Sequence, residues 1–318
     1  MLSGDPRERP LAIEKLAGVH IGRFSLADGY LRADRYTAAG GHSPPCSLPT
    51  GSERVATRSL PATLIDRRAK RAVIGHYRTI CPATPIIAFS NSRGGAGKTT
   101  SPLLLATELA ARGASVTVVD ADPERWITQW GKLGRVPSGL RIVNDVSEDS
   151  IVEVIDQAAQ RDQFVIVDLE GTASLMVANA IGMADLVLIP LQGSSMDARG
   201  GAKTVRLIRN QERLARRRIQ HAVVLTRTSA AVISRALRNV QRQLEEAGVG
   251  FFDTTIVERA AFRDVFDYGG SLADLDPKVV SNVERARENA RAFAGEVLTR
   301  LKAGAAKAGA AASRGEAA

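Results

Sequence analysis

A lysine and a hydroxyl close a glycine-rich run in this chain: Ser92-Arg93-Gly94-Gly95-Ala96-Gly97-Lys98-Thr99-Thr100. These are the groups that hold a nucleoside triphosphate. Glycines let the backbone N–H groups turn inward around phosphate oxygens, a path that side chains would obstruct. Lys98 can reach the β- and γ-phosphates, and the Thr99 hydroxyl can ligate Mg²⁺. The common spacing G-x-x-x-x-G-K-[ST] asks for glycine where Ser92 stands. What fits is a variant, G-G-x-G-K-T-T, with the basic Arg93 just before the glycine pair.

Carboxylates supply the rest of such chemistry. Asp120-Ala121-Asp122-Pro123 places two of them two residues apart, and Asp168 closes the apolar run Phe164-Val165-Ile166-Val167. Beside Mg²⁺ and a triphosphate, one carboxylate can hold the metal's water shell while another orients the attacking water. Asp and Pro also make plain turns, and that is the alternative for residues 120–123.

These residues need elements that bring them together. Residues 85–90 read as a strand before the loop, and residues 103–110 as a helix after it. A helix N-terminus there adds its partial positive charge. Further apolar runs at 115–120, 140–143, 164–168, 186–190 and 221–226 read as strands. Helical patterns fall at 124–130, 147–160, 173–180, 197–215 and 232–248. An extended segment at 251–256 precedes a C-terminal helix over 277–302. Buried strands alternating with helices predict an α/β fold, a P-loop NTPase with a mostly parallel twisted sheet and helices on both faces. Ligands of such sheets sit at the carboxyl ends of the strands, which is where the glycine loop, Asp120 and Asp168 all fall. Pro102 is tolerable only if the following helix starts at or just before Lys98.

Outside this core the chain is less patterned. Residues 1–83 hold no sustained period and read as a disordered or weakly structured extension, with local helix at 10–17 and 64–77. They read as a basic arm, a dispensable extension, or sequence upstream of a later start. Residues 303–318 form an Ala/Gly-rich tail expected to fray. The 318 residues carry a formal charge of +9 and a pI near 10.0. Residues 1–84 contribute thirteen basic and seven acidic side chains, leaving thirty and twenty-seven for the remainder. An anionic partner is therefore plausible, but the folded part is barely basic. Cys46 and Cys81 both precede the loop, so no disulfide framework or zinc spacing serves the core, as in a reducing cytosol. No apolar run approaches membrane-spanning length.

The loop, the acidic turn, the strand end at 165–170 and Ala184-Asp185-Leu186-Val187-Leu188-Ile189-Pro190 with Asp197 beyond resemble the ParA/MinD ATPases. The branch closest in pattern is that of ParA partition and DNA-transfer proteins, over residues 84–302. That resemblance implies ATP and Mg²⁺ as cofactors and a homodimer that closes over ATP. It implies that Arg93 stands for the family's bridging lysine, reaching the partner's phosphates. It implies Gly94, Gly95, Ala96, Gly97, Lys98, Thr99 and Thr100 as the phosphate cradle. Thr99, Asp120 and Asp168 would serve the metal, Asp122 the attacking water, and Thr226 and Arg227 the base side. The closed dimer would bind DNA without sequence preference through Arg227, Arg235, Arg238, Arg259 and Arg263, would associate with the nucleoid, and would release on hydrolysis stimulated by a ParB-type partner. The run Arg216-Arg217-Arg218 with Arg213 is a further basic cluster.

Three other readings fit the sequence less well. A MinD-like membrane switch needs a terminal amphipathic helix, for which Phe293, Val297, Leu298 and Leu301 are the available stripe. A metal-cluster ATPase needs cysteines after Cys81, and none follow. A P-loop kinase or synthetase needs a small-substrate pocket.

Overall fold

The computed structural model describes residues 25–27, 30–32, 83–228 and 235–315. The chain divides into two units, Met1–Arg58 and Ser59–Ala318. In the first, β1 (Ser25–Ala27) and β2 (Tyr30–Arg32) pair antiparallel, where no fold was expected. The local helices expected at 10–17 and 64–77 lie outside the described residues.

The second unit is built on one sheet. Its first half is β3 (Ile86–Phe89), α1 (Thr100–Ala111), β4 (Val116–Ala121), α2 (Trp126–Gly131), β5 (Leu140–Val143), α3 (Ile151–Arg161) and β6 (Phe164–Leu169). Then come α4 (Leu175–Met183), β7 (Leu186–Leu191), α5 (Ser195–Ala215), β8 (Gln220–Thr228), α6 (Arg235–Glu246), β9 (Gly250–Phe251) and β10 (Ile256–Val257). Helices α7 (Ala260–Tyr268) and α8 (Val283–Gly315) complete the chain. The strand order is β10-β8-β7-β3-β6-β4-β5, with β9 also on β8, and every pairing is parallel.

Aliphatic composition explains this architecture. Every residue of β3, β4, β6 and β7 is buried, so both sheet faces must be covered. Ile87 and Phe89 join Leu105, Leu109, Phe262 and Phe293 under α1, α2, α7 and α8. Ile86 and Ala88 join Ile155, Val177, Ile208 and Val240 under α3, α4, α5 and α6. Strand β3 lies between β6 and β7: the chain first builds β4, β5 and β6 on one side of it, then crosses to β7 and β8 on the other. Such a switch point opens a crevice at the carboxyl end of the strand, and the glycine loop emerges there.

The boundaries differ from the sequence-based expectation in places with local causes. Helix α2 starts at Trp126 rather than 124 because Arg125 adopts φ 53°, a left-handed turn. Helix α7 is not legible in the sequence. It is one short stretch with only Ala261, Phe262 and Val265 buried, too little periodicity to stand out. Helix α8 starts at Val283, after Asn282 at φ 56°, and continues through the Ala-rich tail to Gly315 instead of fraying near 304. Alanine's high helix propensity accounts for that continuation. Among the described residues, no helix is long and apolar enough to cross a membrane.

Candidate phosphate-binding site

The loop after β3 is pinned from outside. Thr226 at the end of β8 donates its hydroxyl to the Ala96 carbonyl at 2.7 Å, and Gln192 beyond β7 donates to the Gly95 carbonyl. Asn91, fully buried, donates to Pro190 O at 2.5 Å and accepts from Arg93 N at 3.0 Å. Gly95 and Gly97 sit at φ 76° and 89°, which a side chain would strain, and a Cβ on Gly97 would lie 3.2 Å from Thr226. With its carbonyls tied outward, the loop leaves the backbone N–H groups of residues 94–99 without an acceptor among the described residues. Those orphaned donors at the start of α1 form the concave nest that anions occupy.

Lys98 is buried inside this loop and donates to Arg93 O at 2.9 Å. Burial pulls its ammonium below the ordinary lysine range, and the charges of Asp122 and Asp168 oppose that shift. Gly171, three residues after Asp168, lies beside the loop, and a Cβ there would make only ordinary contacts, 3.4 Å from the Lys98 ammonium and 3.6 Å from Ser92 O. Pro102 falls in the first turn of α1, where Ser101 N bonds Gly97 O and Leu103 N bonds Thr99 O, so its missing N–H disturbs little.

Strand pairing brings the two acidic ends together. Asp120 and Asp168 are register partners on β4 and β6, both fully buried, and both on the sheet face covered by α1. Asp120 Oδ2 accepts from Thr128 N at 2.8 Å and from the Thr128 hydroxyl at 2.6 Å, while its Oδ1 is buried without a partner. Neither oxygen of Asp168 has an aligned hydrogen bond, although the neighbouring Thr99 hydroxyl offsets some of the cost of burial. Burial raises the Asp168 carboxyl well above the usual range, and the charge of Asp120 adds to this. Asp120 is raised too, by burial, with Thr128 working the other way. Two buried, under-satisfied carboxylates side by side are a cation-binding arrangement. Among the described residues, no group of three or more His, Cys, Asp or Glu is placed to hold a metal. A divalent ion here would therefore draw its remaining oxygens from Thr99, phosphate and water.

Asp122 is half-buried and its Oδ1 accepts from Glu124 N at 3.0 Å, so it caps the turn before α2. Arg93 has a partner the sequence did not reveal: its Nε lies 2.8 Å from Asp197 Oδ1. Asp197 is 1% exposed and also closes a capping box with Ser194 at the start of α5. Asn91, Gly171 and Gly200 likewise escape the sequence pattern. A Cβ on Gly200 would lie 2.5 Å from Asn91 Oδ1, so glycine lets α5 press against the loop. Only the short spacings Asp168 to Gly171 and Asp197 to Gly200 hint at these contacts.

On the other flank a cleft adjoins the loop, lined among others by Gly97, Thr226, Arg227, Arg259, Phe262 and Arg263. Three arginines assigned by sequence to DNA thus gather beside the phosphate loop. Arg263 is paired to Glu258 at 2.8 Å, and Arg259 Nε is buried without a partner. Arg235 and Arg238 stand instead on α6, on the other side of the sheet, and the Arg235 side chain lies outside the described residues. The stripe of Phe293, Val297, Leu298 and Leu301 is buried against the sheet.

Comparison with known proteins places this geometry in context. The family model described as VirC1 protein matches residues 84–294. Protein ParA of Rhizobium radiobacter is 42% identical over 217 residues, 68% of this chain and 97% of that protein. Among solved structures, apo McdA of Cyanothece is similar with a TM-score of 0.55 at 17% identity, covering 66% of this chain and 98% of that one. The MinD cell division protein of Aquifex aeolicus has a TM-score of 0.53 at 17% identity, covering 68% and 97%. The two structures bear on the fold alone.

Proposed function

The chain belongs to the VirC1 family within the ParA/MinD ATPases, and on that premise we propose that it is a Mg²⁺-ATP-dependent switch that positions or partitions DNA. The observation that carries this reading is the pairing of an open nest at residues 94–99 with the buried, in-register carboxylates of Asp120 and Asp168. In it, Lys98 leaves the Arg93 carbonyl to meet the β- and γ-phosphates, and Thr100 contacts the α-phosphate. Thr99, Asp120 and Asp168 fit a hydrated Mg²⁺, which supplies charge neutralisation at the phosphates when bound. Asp122 positions the attacking water for in-line displacement. Thr226 and Arg227 flank the base side of the cleft.

Self-association is part of this reading. Trp126, Leu175 and Met196 are exposed, and they stand at the starts of α2, α4 and α5. All three helices leave the carboxyl ends of strands, on the same rim as the phosphate loop. An apolar ring around a phosphate site suits a face that a second copy covers when nucleotide is bound. Arg93 would then exchange Asp197 for the partner's phosphates, acting as a cation supplied in trans. DNA contact in the closed state would be made to the phosphate backbone, and a ParB-type partner would stimulate hydrolysis and release.

The burial of Phe293, Val297, Leu298 and Leu301 favours DNA over a membrane surface, because it removes the apolar face a membrane helix needs. The test is retention of a random-sequence duplex with ATP, with ADP and without nucleotide at moderate salt. Retention with ATP alone supports the switch, and equal retention in all three states removes it. Retention on anionic liposomes with ATP, and not on DNA, would favour the MinD-like alternative.

A further inference from the structure

Helix α5 carries Arg199, Lys203, Arg206, Arg209 and Arg213, all exposed. Their spacing of three and four residues sets them along one side of the helix. That side is opposite Ala198, Gly201, Val205 and Ile208, which are buried against the sheet. From Arg199 to Arg213 the row is about 20 Å long, at about 1.5 Å per residue.

Several helix cations elsewhere on the surface are matched by acids one or two turns away on the same helix. Arg287 and Arg291 meet Glu284, Arg300 meets Glu296, and Arg242 meets Glu246. The acids of α5 are already engaged. Asp197 is buried with Arg93 and Ser194, and Glu212 accepts from Ile219 N and meets Arg218. Among the described residues, Arg199, Lys203, Arg206 and Arg213 have no acidic partner, and Arg209 reaches only the Ala247 carbonyl. Two helices away in the same layer, α3 exposes Glu153 and Asp156.

We propose that the exposed side of α5 is a docking surface for the phosphate backbone of duplex nucleic acid. The proposal rests on the DNA-binding reading above and locates the contact on a helix outside the five arginines that the family resemblance implies. A row of mostly guanidinium groups without acidic partners matches a row of phosphates in charge and rigidity. A lipid surface would need bulky apolar residues between the cations. Between Arg199 and Arg213 the only other exposed residue is Asn210, while the exposed apolar side chains Met196 and Leu214 lie at the two ends. The first two turns of α5 approach the phosphate loop through Asp197 and Gly200, so one rigid element joins the nucleotide site to this surface.

The test compares two double variants of the full chain, Lys203→Gln/Arg206→Gln on α5 and Arg285→Gln/Arg291→Gln on α8. Anisotropy of a random-sequence duplex is measured against salt, in the nucleotide state that binds best. The α5 variant is expected to lower the log–log salt slope by about 2, because each neutralised phosphate contributes about 0.9, and to leave ATP affinity unchanged. The α8 variant is expected to keep the wild-type slope. Equal decreases in both would mean that net charge alone acts, which overturns the surface. An unchanged slope in the α5 variant, with wild type still binding, overturns the surface and leaves the switch reading intact. No duplex binding by wild type in any state removes both, and binding of phosphatidylserine vesicles that disappears in the α5 variant would assign the row to a membrane.

Discussion

Arg93 Nε lies 2.8 Å from Asp197 Oδ1, joining the first basic residue of the phosphate loop to the N-terminal cap of α5. The carboxylate is 1% exposed, and its other oxygen accepts from Ser194 N and the Ser194 hydroxyl. It is well placed by the helix N-terminus it caps, and Arg93 supplies its countercharge. In the Arg93→Ala variant the buried carboxylate loses that partner, at a cost of about 1–2 kcal/mol. For a domain of this size the melting temperature falls by roughly 2–8 °C. Arg93→Lys keeps the charge and should lose less than half of that. Thermal unfolding followed by circular dichroism distinguishes the two, and equal melting of all three proteins would show that the pair contributes nothing.

Two helical glycines should respond to alanine with opposite signs. Gly200→Ala puts a Cβ 2.5 Å from Asn91 Oδ1, and Asn91 is fixed by bonds to Pro190 and Arg93. Overpacking of about 1–3 kcal/mol should exceed the helix-propensity gain of about 1 kcal/mol, and nucleotide affinity should drop as the loop shifts. An added Cβ on Gly295 in α8 would meet nothing within 4 Å. Gly295→Ala should stabilise by about 0.5–1 kcal/mol with no change in nucleotide binding. Denaturant titration and nucleotide titration of both variants check the contrast, and stabilisation by Gly200→Ala would contradict the close approach of α5 to Asn91.

Asp168 sets a stability cost that depends on pH. Burial and the charge of Asp120 raise its folded-state pKa above the unfolded value. Below about pH 4 both states are protonated and no cost arises. As pH rises through that value the unfolded chain ionises first, so the folded state loses relative stability until its own carboxyl titrates. Asp168→Asn should therefore melt several degrees higher than wild type at pH 7 without nucleotide or Mg²⁺, and the gap should narrow toward pH 4. The same variant should lose the Mg²⁺ dependence of ATP binding. A lower melting temperature at pH 7 would mean the carboxylate is satisfied in the folded protein.

Much of this is legible because it is local in sequence. The glycine loop, the strand ending at Asp168 and the turn at Asp120 and Asp122 each signal themselves within ten residues. Their convergence follows from the rule that parallel strands present their carboxyl ends on one rim. Contacts across long separations are not legible. Arg93 and Asp197 are brought together only because β3 and β7 are neighbours, and Gly200 matters only because α5 crosses close to Asn91. The row on α5 has a visible helical period, but its exposed side is known only once Ala198, Val205 and Ile208 are seen on the sheet. Arg259 and Arg263 read in the sequence only as DNA contacts, and it is β10 and α7 that bring them beside Arg227 and the loop.

The central claim is that nucleotide state governs assembly. Sedimentation velocity of the full chain with Mg²⁺ and a slowly hydrolysed ATP analogue, with Mg²⁺-ADP, and without nucleotide measures this directly. A dimer is expected with the ATP analogue alone, and it should disappear in Arg93→Ala at protein concentrations where the fold is intact. A single sedimentation coefficient in all three states would contradict the claim.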